Sequence, residues 1–149
     1  MPPPARIRVR CLGYEEEYLL KLQFEATNGI FSGLLEYYCD GEDLAKIGTA
    51  LSSFPQKSGD EYRYEIGSNK SGDRVNPHFV LRAFTTDALG HSAIEVTVNN
   101  YRQGAEASAC SFSIPAEAAA INRLGQLFSL LGKRQCNQFI WTERDETLE

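Results

Sequence analysis

The two histidines and four cysteines are the side chains of this sequence best suited to nucleophilic or metal chemistry. His78 precedes an apolar run and His91 follows a glycine, so both are expected near loop ends, where active sites often form. A Cys-His pair or a metal site needs these groups to converge. Their spacing supports neither site, and thiols inside apolar strands act as small hydrophobes. We therefore expect no cofactor and four reduced structural cysteines, which are Cys11, Cys39, Cys110 and Cys136.

Established catalytic motifs are absent from the sequence. It has no phosphate-binding loop, dinucleotide fingerprint, HExxH zinc motif, hydrolase elbow or CxxC pair. This absence favours a protein that is not an enzyme. The alternative is a small-ligand-binding protein or enzyme with a pocket near residues 67–78, with His78 and His91 as its candidate wall residues.

Carboxylates gather at the ends of two predicted elements, which makes them candidates for a binding surface. Helix capping and solubility explain such clusters, and the pattern is too loose for a calcium loop. The sharper hypothesis is a negative surface that speeds association with a basic protein partner. The candidate residues for that surface, with one outward aromatic, are Glu15, Glu16, Glu17, Tyr38, Asp40, Glu42 and Asp43.

The overall composition bounds the class of protein. A chain of 149 residues fits a single domain, 1–149, and its ends, 1–5 and 143–149, are expected to be loose. The net charge of −5 argues against a nucleic-acid partner, because phosphate binding needs a basic face. No apolar run reaches the roughly 18 residues of a membrane span, and the start does not read as a signal peptide. These features predict a cytoplasmic protein with no membrane partner.

A hairpin is predicted around Asn28-Gly29, because a type I′ turn needs positive φ at both central residues. In that register Thr27 faces Ile30. One face of the hairpin is then apolar, while Tyr38 lies on the outer face next to Leu19 and Leu34. Such an outer apolar trio is either covered by another layer or exposed as a homodimer contact.

The remaining periodicities define the fold class. Strict alternation in RIRVRC and EYRYEI predicts half-buried strands, and further apolar runs predict more. Apolar residues at helical spacing predict two amphipathic helices, at about 41–54 and 115–131, the second beginning at Pro115. Without βαβ alternation the sequence predicts an α+β fold. The expected form is a mainly antiparallel curved sheet of about seven or eight strands, with both helices packed on one face.

Several segments together resemble a known family. They are Asn28 to Gly33 (NGIFSG) before a helix that starts with Asp43-Leu44, and the turn from Asp87 to His91 before an apolar strand. Over residues 6–132 the chain resembles small bacterial immunity proteins of the WapI type and related families. The resemblance implies a bacterial, non-enzymatic protein that binds and neutralises a cognate toxin. It carries over no interface residues.

Overall fold

The computed structural model describes residues 4–15, 19–67 and 77–149 of the protein. Over those residues the chain forms nine strands and two helices. The strands are β1 (Arg6–Tyr14), β2 (Leu19–Thr27), β3 (Ser32–Asp40), β4 (Glu61–Ile66), β5 (His78–Thr85), β6 (Ser92–Asn99), β7 (Ala109–Pro115), β8 (Gln138–Thr142) and β9 (Glu146–Leu148). The helices are α1 (Gly41–Ser52) and α2 (Ala118–Gly132).

The α+β class is confirmed, and the described strands divide between two antiparallel sheets. The first sheet has the order β3-β2-β1-β8-β9 and the second has the order β4-β5-β6-β7. The sheets meet through aromatic rings, with Phe79 of β5 centred 4.7 Å from Phe24 and 5.2 Å from Tyr37. The expected single curved sheet is therefore corrected to two. Alternation in the sequence marks the buried face of a strand but not the layer that covers it.

The two helices pack against each other in antiparallel directions and against the first sheet. Gly48 of α1 lies against Gly125 of α2, and Gly41 lies against Gly132. On the sheet side, the Trp141 indole N–H donates to the Ala120 carbonyl over 2.9 Å. Both helices thus help to close a core that is continuous with both sheets.

The helix boundaries differ slightly from the expected ones. Helix α1 ends at Ser52, and the Asn122 amide of α2 donates to the carbonyls of Leu51 and Phe54 at 2.9 and 2.8 Å. This side chain of α2 therefore ties the end of α1 and the residues just after it to the second helix. The expectation that Pro115 begins α2 is wrong. It ends β7, because the next N–H, of Ala116, still bonds to the ladder at Ser92.

The β2–β3 hairpin forms, but with a different loop from the expected one. Thr27 pairs with Ser32, so the loop has four residues, and the register differs by two from that of a two-residue turn. Because side chains alternate between the two faces of a strand with a period of two, a shift of two residues leaves each paired residue of β2 and β3 on its predicted face. The Lys21 ammonium still pairs with the Glu36 carboxylate at 3.5 Å, now as a diagonal neighbour.

The C-terminal segment, whose residues 143–149 the sequence predicts to be loose, contributes a strand to the first sheet. Strand β9 pairs with β8. The Arg123 guanidinium of α2 forms an ion pair with Glu146 at 2.7 Å and donates to the Glu143 carbonyl at 2.6 Å. At the other end of the chain, residues 1–3 of the expected loose segment 1–5 lie outside the described residues.

Candidate functional site

The described members of the acidic set lie at one end of the first sheet, around the start of α1. Asp40 ends β3, and Glu42 and Asp43 are in the first turn of the helix. Glu15 reaches the same end, because its N–H bonds to Leu19, which pairs with Asp40. Glu16 and Glu17 lie outside the described residues.

Helix formation occupies most of these carboxylates. The Asp40 carboxylate caps α1 by accepting the Asp43 N–H at 2.8 Å. Partial burial and the Asp40 charge raise the pKa of Asp43, while the Asp40 N–H opposes that rise. Glu42 pairs with Lys46 at 3.5 Å. Among the described carboxylates of this set, only Glu15 and Glu42 are exposed, so the described part of the cluster serves the fold before it offers a binding surface.

Tyr38 lies on the outer face of the first sheet, as expected, but not within an apolar trio. It faces Lys21, whose ammonium lies 5.7 Å from the ring centroid. Leu19 faces Asp40 instead. Leu34 is four residues away along β3, about 13 Å at the usual rise of a strand. Tyr38 therefore belongs to a mixed polar surface.

The two histidines lie at opposite ends of the β5–β6 hairpin. His78 begins β5, whereas the His91 carbonyl accepts the Thr86 N–H just beyond the other end. Eight residues of extended chain separate these points by about 25 Å. A pocket near residues 67–78 therefore does not include His91, and residues 68–76 of that stretch lie outside the described residues.

His78 belongs to a surface network on the outer face of the second sheet. Its Nε2 lies 2.6 Å from a Glu65 carboxylate oxygen, and its ring stacks on Tyr101 with centroids 5.6 Å apart. Hydrogen bonds from His78 and then Arg63 lower the pKa of Glu65. On strands β6 and β7, the hydroxyls of Thr97 and Ser111 bond to each other at 3.0 Å. The contacts of His78 in the described part of the chain therefore orient its imidazole through Glu65 and Tyr101.

His91 forms an exposed pair with Asp87, which predicts a measurable pH effect. The hydrogen bond that His91 Nδ1 donates to the Asp87 carboxylate, then the charge of Asp87, raises the pKa of His91 above 6.5, with Glu117 contributing less. A raised folded-state pKa stabilises the fold below the unfolded value, and this contribution disappears as pH rises through the folded value. We expect Asp87→Asn to lower the His91 titration midpoint in NMR spectra. An unchanged midpoint would contradict the pairing.

The cysteines lie in the structure as free thiols, and three of them have a raised pKa. All four are free. Burial, with the charges of Asp43 and Asp40, raises the pKa of Cys39 to about 12, and burial also raises those of Cys110 and Cys136. Reactive cysteines need a lowered pKa. Across residues 4–15, 19–67 and 77–149, no three His, Cys, Asp or Glu side chains are grouped to hold a metal ion.

The most prominent exposed apolar feature lies at the β2–β3 turn. Ile30, Phe31 and Leu34 are 78%, 60% and 58% exposed, and we call these three residues the hairpin tip. Sequence reasoning assigned Ile30 and Phe31 to paired strand positions, because it assumed a two-residue turn. The sequence carries no signal for their exposure, because apolar residues beside a turn usually enter the core.

The loop that carries the hairpin tip is held by side-chain hydrogen bonds. The side-chain amide oxygen of Asn28, Oδ1, accepts the backbone N–H groups of Ile30 and Phe31 at 2.9 and 2.8 Å. The Thr27 hydroxyl accepts the Gly29 N–H and donates to the Phe31 carbonyl. Gly29 has φ of 93°, which suits glycine. Two large apolar side chains are therefore presented to solvent on a fixed backbone.

Two further findings bear on identity. In the described part of the chain, neither helix has the length and apolar character needed to cross a membrane. Comparison with protein-family models, with curated proteins and with solved structures finds no match to this chain.

Proposed function

We propose that the protein is a non-enzymatic protein-binding module of the toxin-immunity kind, which inserts its hairpin tip into an apolar cleft of a cognate protein. The single observation behind this proposal is the fixed presentation of Ile30 and Phe31 to solvent. Packing of the core does not require these side chains. A preformed loop binds with a smaller entropy cost, because little ordering remains to be done.

The residues around the hairpin tip combine exposed apolar side chains with a neighbouring ion pair, a composition that supports a protein partner. An ion pair between Arg6 and Glu25 at 3.1 Å lies beside Leu34, which directly faces Glu25 across the strands. Apolar anchors within a polar rim are typical of protein-binding sites. A lipid surface would favour a cationic rim, whereas this rim carries both signs. These features support a protein partner.

The acidic end of the first sheet has a separate role in this proposal. Glu15 and Glu42 lie at the far end of β3, about 25 Å from the hairpin tip at the usual strand rise. Together with the net charge of −5, they would steer a basic partner toward the molecule. Steering changes the association rate at low salt more than the final affinity.

The test is a binding measurement with a purified partner. The tagged protein is incubated in lysate of its source organism, and native mass spectrometry identifies a one-to-one complex. The partner's affinity is then measured for wild type and for Ile30→Ser/Phe31→Ser. We expect the dissociation constant to rise at least about 100-fold, because two anchors at hot-spot strength are lost.

A matched variant separates the site from general surface effects. Leu89, in the Asp87 to His91 turn, is 86% exposed, and this turn lies at the opposite end of β6 from Val98, which is beside Gly33 of the tip-bearing strand. Leu89→Ser should leave both the affinity and the melting temperature unchanged. Equal affinities for wild type and the Ile30/Phe31 double variant would refute the hairpin tip as the contact.

A further inference from the structure

Strand β7 is an unusual edge of the second sheet. The other three edge strands in the described residues, β3, β4 and β9, each carry at least one charged side chain. The sequence of β7, ACSFSIP, has none and contains no bulge against β6. Edge strands normally carry charges, prolines or bulges, which prevent pairing with another strand. Only Pro115, at its end, protects β7.

The hydrogen-bond pattern shows which backbone groups of β7 are open. The Asn100 N–H bonds to the Ser108 carbonyl and the Ala116 N–H bonds to Ser92, so the even-numbered residues face β6. In an antiparallel strand, successive residues direct their backbone N–H and C=O groups toward opposite neighbours. The odd-numbered residues therefore direct their N–H and C=O groups away from the sheet. The outward N–H donors are those of Ala109, Ser111 and Ser113, whereas Pro115 has none.

We propose that β7 pairs with β7 of a second copy of this chain, antiparallel and centred on Ser111. In this register Ala109 faces Ser113 of the second copy, and the two Ser111 residues face each other. Every outward donor of both copies then finds an acceptor, which gives six hydrogen bonds. Pro115, which lacks an N–H, lies outside the paired segment. The two four-stranded sheets become one sheet of eight strands.

The side chains along β7 fit a second copy. The facing residues on the outer surface are alanine and serine, and on the inner surface Cys110 faces Phe112 of the second copy. The chain carries a net charge of −5, so most surfaces of two copies repel each other. Because β7 carries no charged side chain, two copies can approach each other along this edge without placing like charges side by side. This inference is independent of the hairpin tip and of the proposed function.

The test is sedimentation velocity of the full chain over a dilution series. Wild type should show a concentration-dependent monomer–dimer equilibrium. Ser111→Pro removes two of the six intermolecular bonds and none to β6, so the dimer dissociation constant should rise at least about tenfold. The matched variant Ser111→Ala keeps the N–H and should dimerise like wild type. A monomeric wild type, or equal dimerisation of Ser111→Pro, would overturn the proposal.

A second measurement on wild type is decisive even where Ser111→Pro does not fold. In hydrogen exchange, the amides of Ala109, Ser111 and Ser113 should exchange more slowly at high than at low protein concentration. The amides of Leu34 and Glu36 also face an open edge, that of β3, and should show no such dependence. Equal exchange at both concentrations on β7 would likewise reject the paired edge.

Discussion

Replacing Gly125 by alanine is expected to destabilise the protein strongly. A Cβ at this position would lie 2.8 Å from both the Gly48 carbonyl oxygen and the Leu51 carbonyl carbon. These are backbone atoms of α1, which cannot rotate away as a flexible side chain can. The two helices must separate, so we expect the free energy of unfolding to fall by about 3 kcal/mol or more. That is a large part of the 5–15 kcal/mol of a typical domain.

Gly41→Ala is the matched control for this prediction. Like Gly125, Gly41 lies where the two helices meet, but on α1. A Cβ at Gly41 would meet the Gly132 carbonyl oxygen at 3.5 Å, which is an ordinary contact. Because alanine favours the helix over glycine by up to about 1 kcal/mol, Gly41→Ala should be neutral or stabilising. Urea unfolding followed by circular dichroism compares the two variants. Similar midpoints would show that the helices do not pack through Gly125.

Removing the Trp141 side chain has a similarly large expected effect. Trp141 is fully buried, and its indole N–H donates to the Ala120 carbonyl of α2. Trp141→Ala leaves a cavity between the first sheet and this helix. Large-to-small substitutions of aromatic core residues cost about 3–5 kcal/mol. We expect the urea midpoint, measured by circular dichroism, to fall accordingly with an unchanged slope.

Trp141→Phe separates burial from hydrogen bonding. Phenylalanine keeps most of the ring volume but cannot donate a hydrogen bond to the Ala120 carbonyl. The free energy of unfolding should therefore fall by only about 1–2 kcal/mol for the lost hydrogen bond, in addition to any cost of repacking the smaller ring. Trp141 is the only tryptophan, so the emission of wild type reports on this one contact. A cost for Trp141→Ala no larger than that for Trp141→Phe would contradict a tightly packed site.

Local patterns predicted much of the secondary structure, because strand and helix periods are properties of adjacent residues. The alternation in β4 correctly placed Tyr62 and Tyr64 inward, against the core. The face of each strand in the β2–β3 hairpin was also correct. Its register was not, because the choice between two-residue and four-residue loops depends on how the Asn28 side chain bonds to the loop backbone.

The candidate site was harder to predict than the fold. Charge clustering pointed to the start of α1, where the Asp40 carboxylate caps the helix by accepting the Asp43 N–H. The exposure of Ile30 and Phe31 could not be read from composition, since apolar residues beside a turn usually enter the core. Only the three-dimensional loop shows that they point to solvent.

The sequence by itself determined the α+β class, the two amphipathic helices and the buried faces of the strands, since each follows from the spacing of nearby apolar residues. The tertiary structure decided the division into two sheets, the Gly48–Gly125 helix contact and the open edge at β7. The glycines recur seven residues apart in each helix. A small residue allows a close helix contact only where the backbone of the other helix approaches it. That approach joins residues 77 positions apart, and no local pattern encodes it.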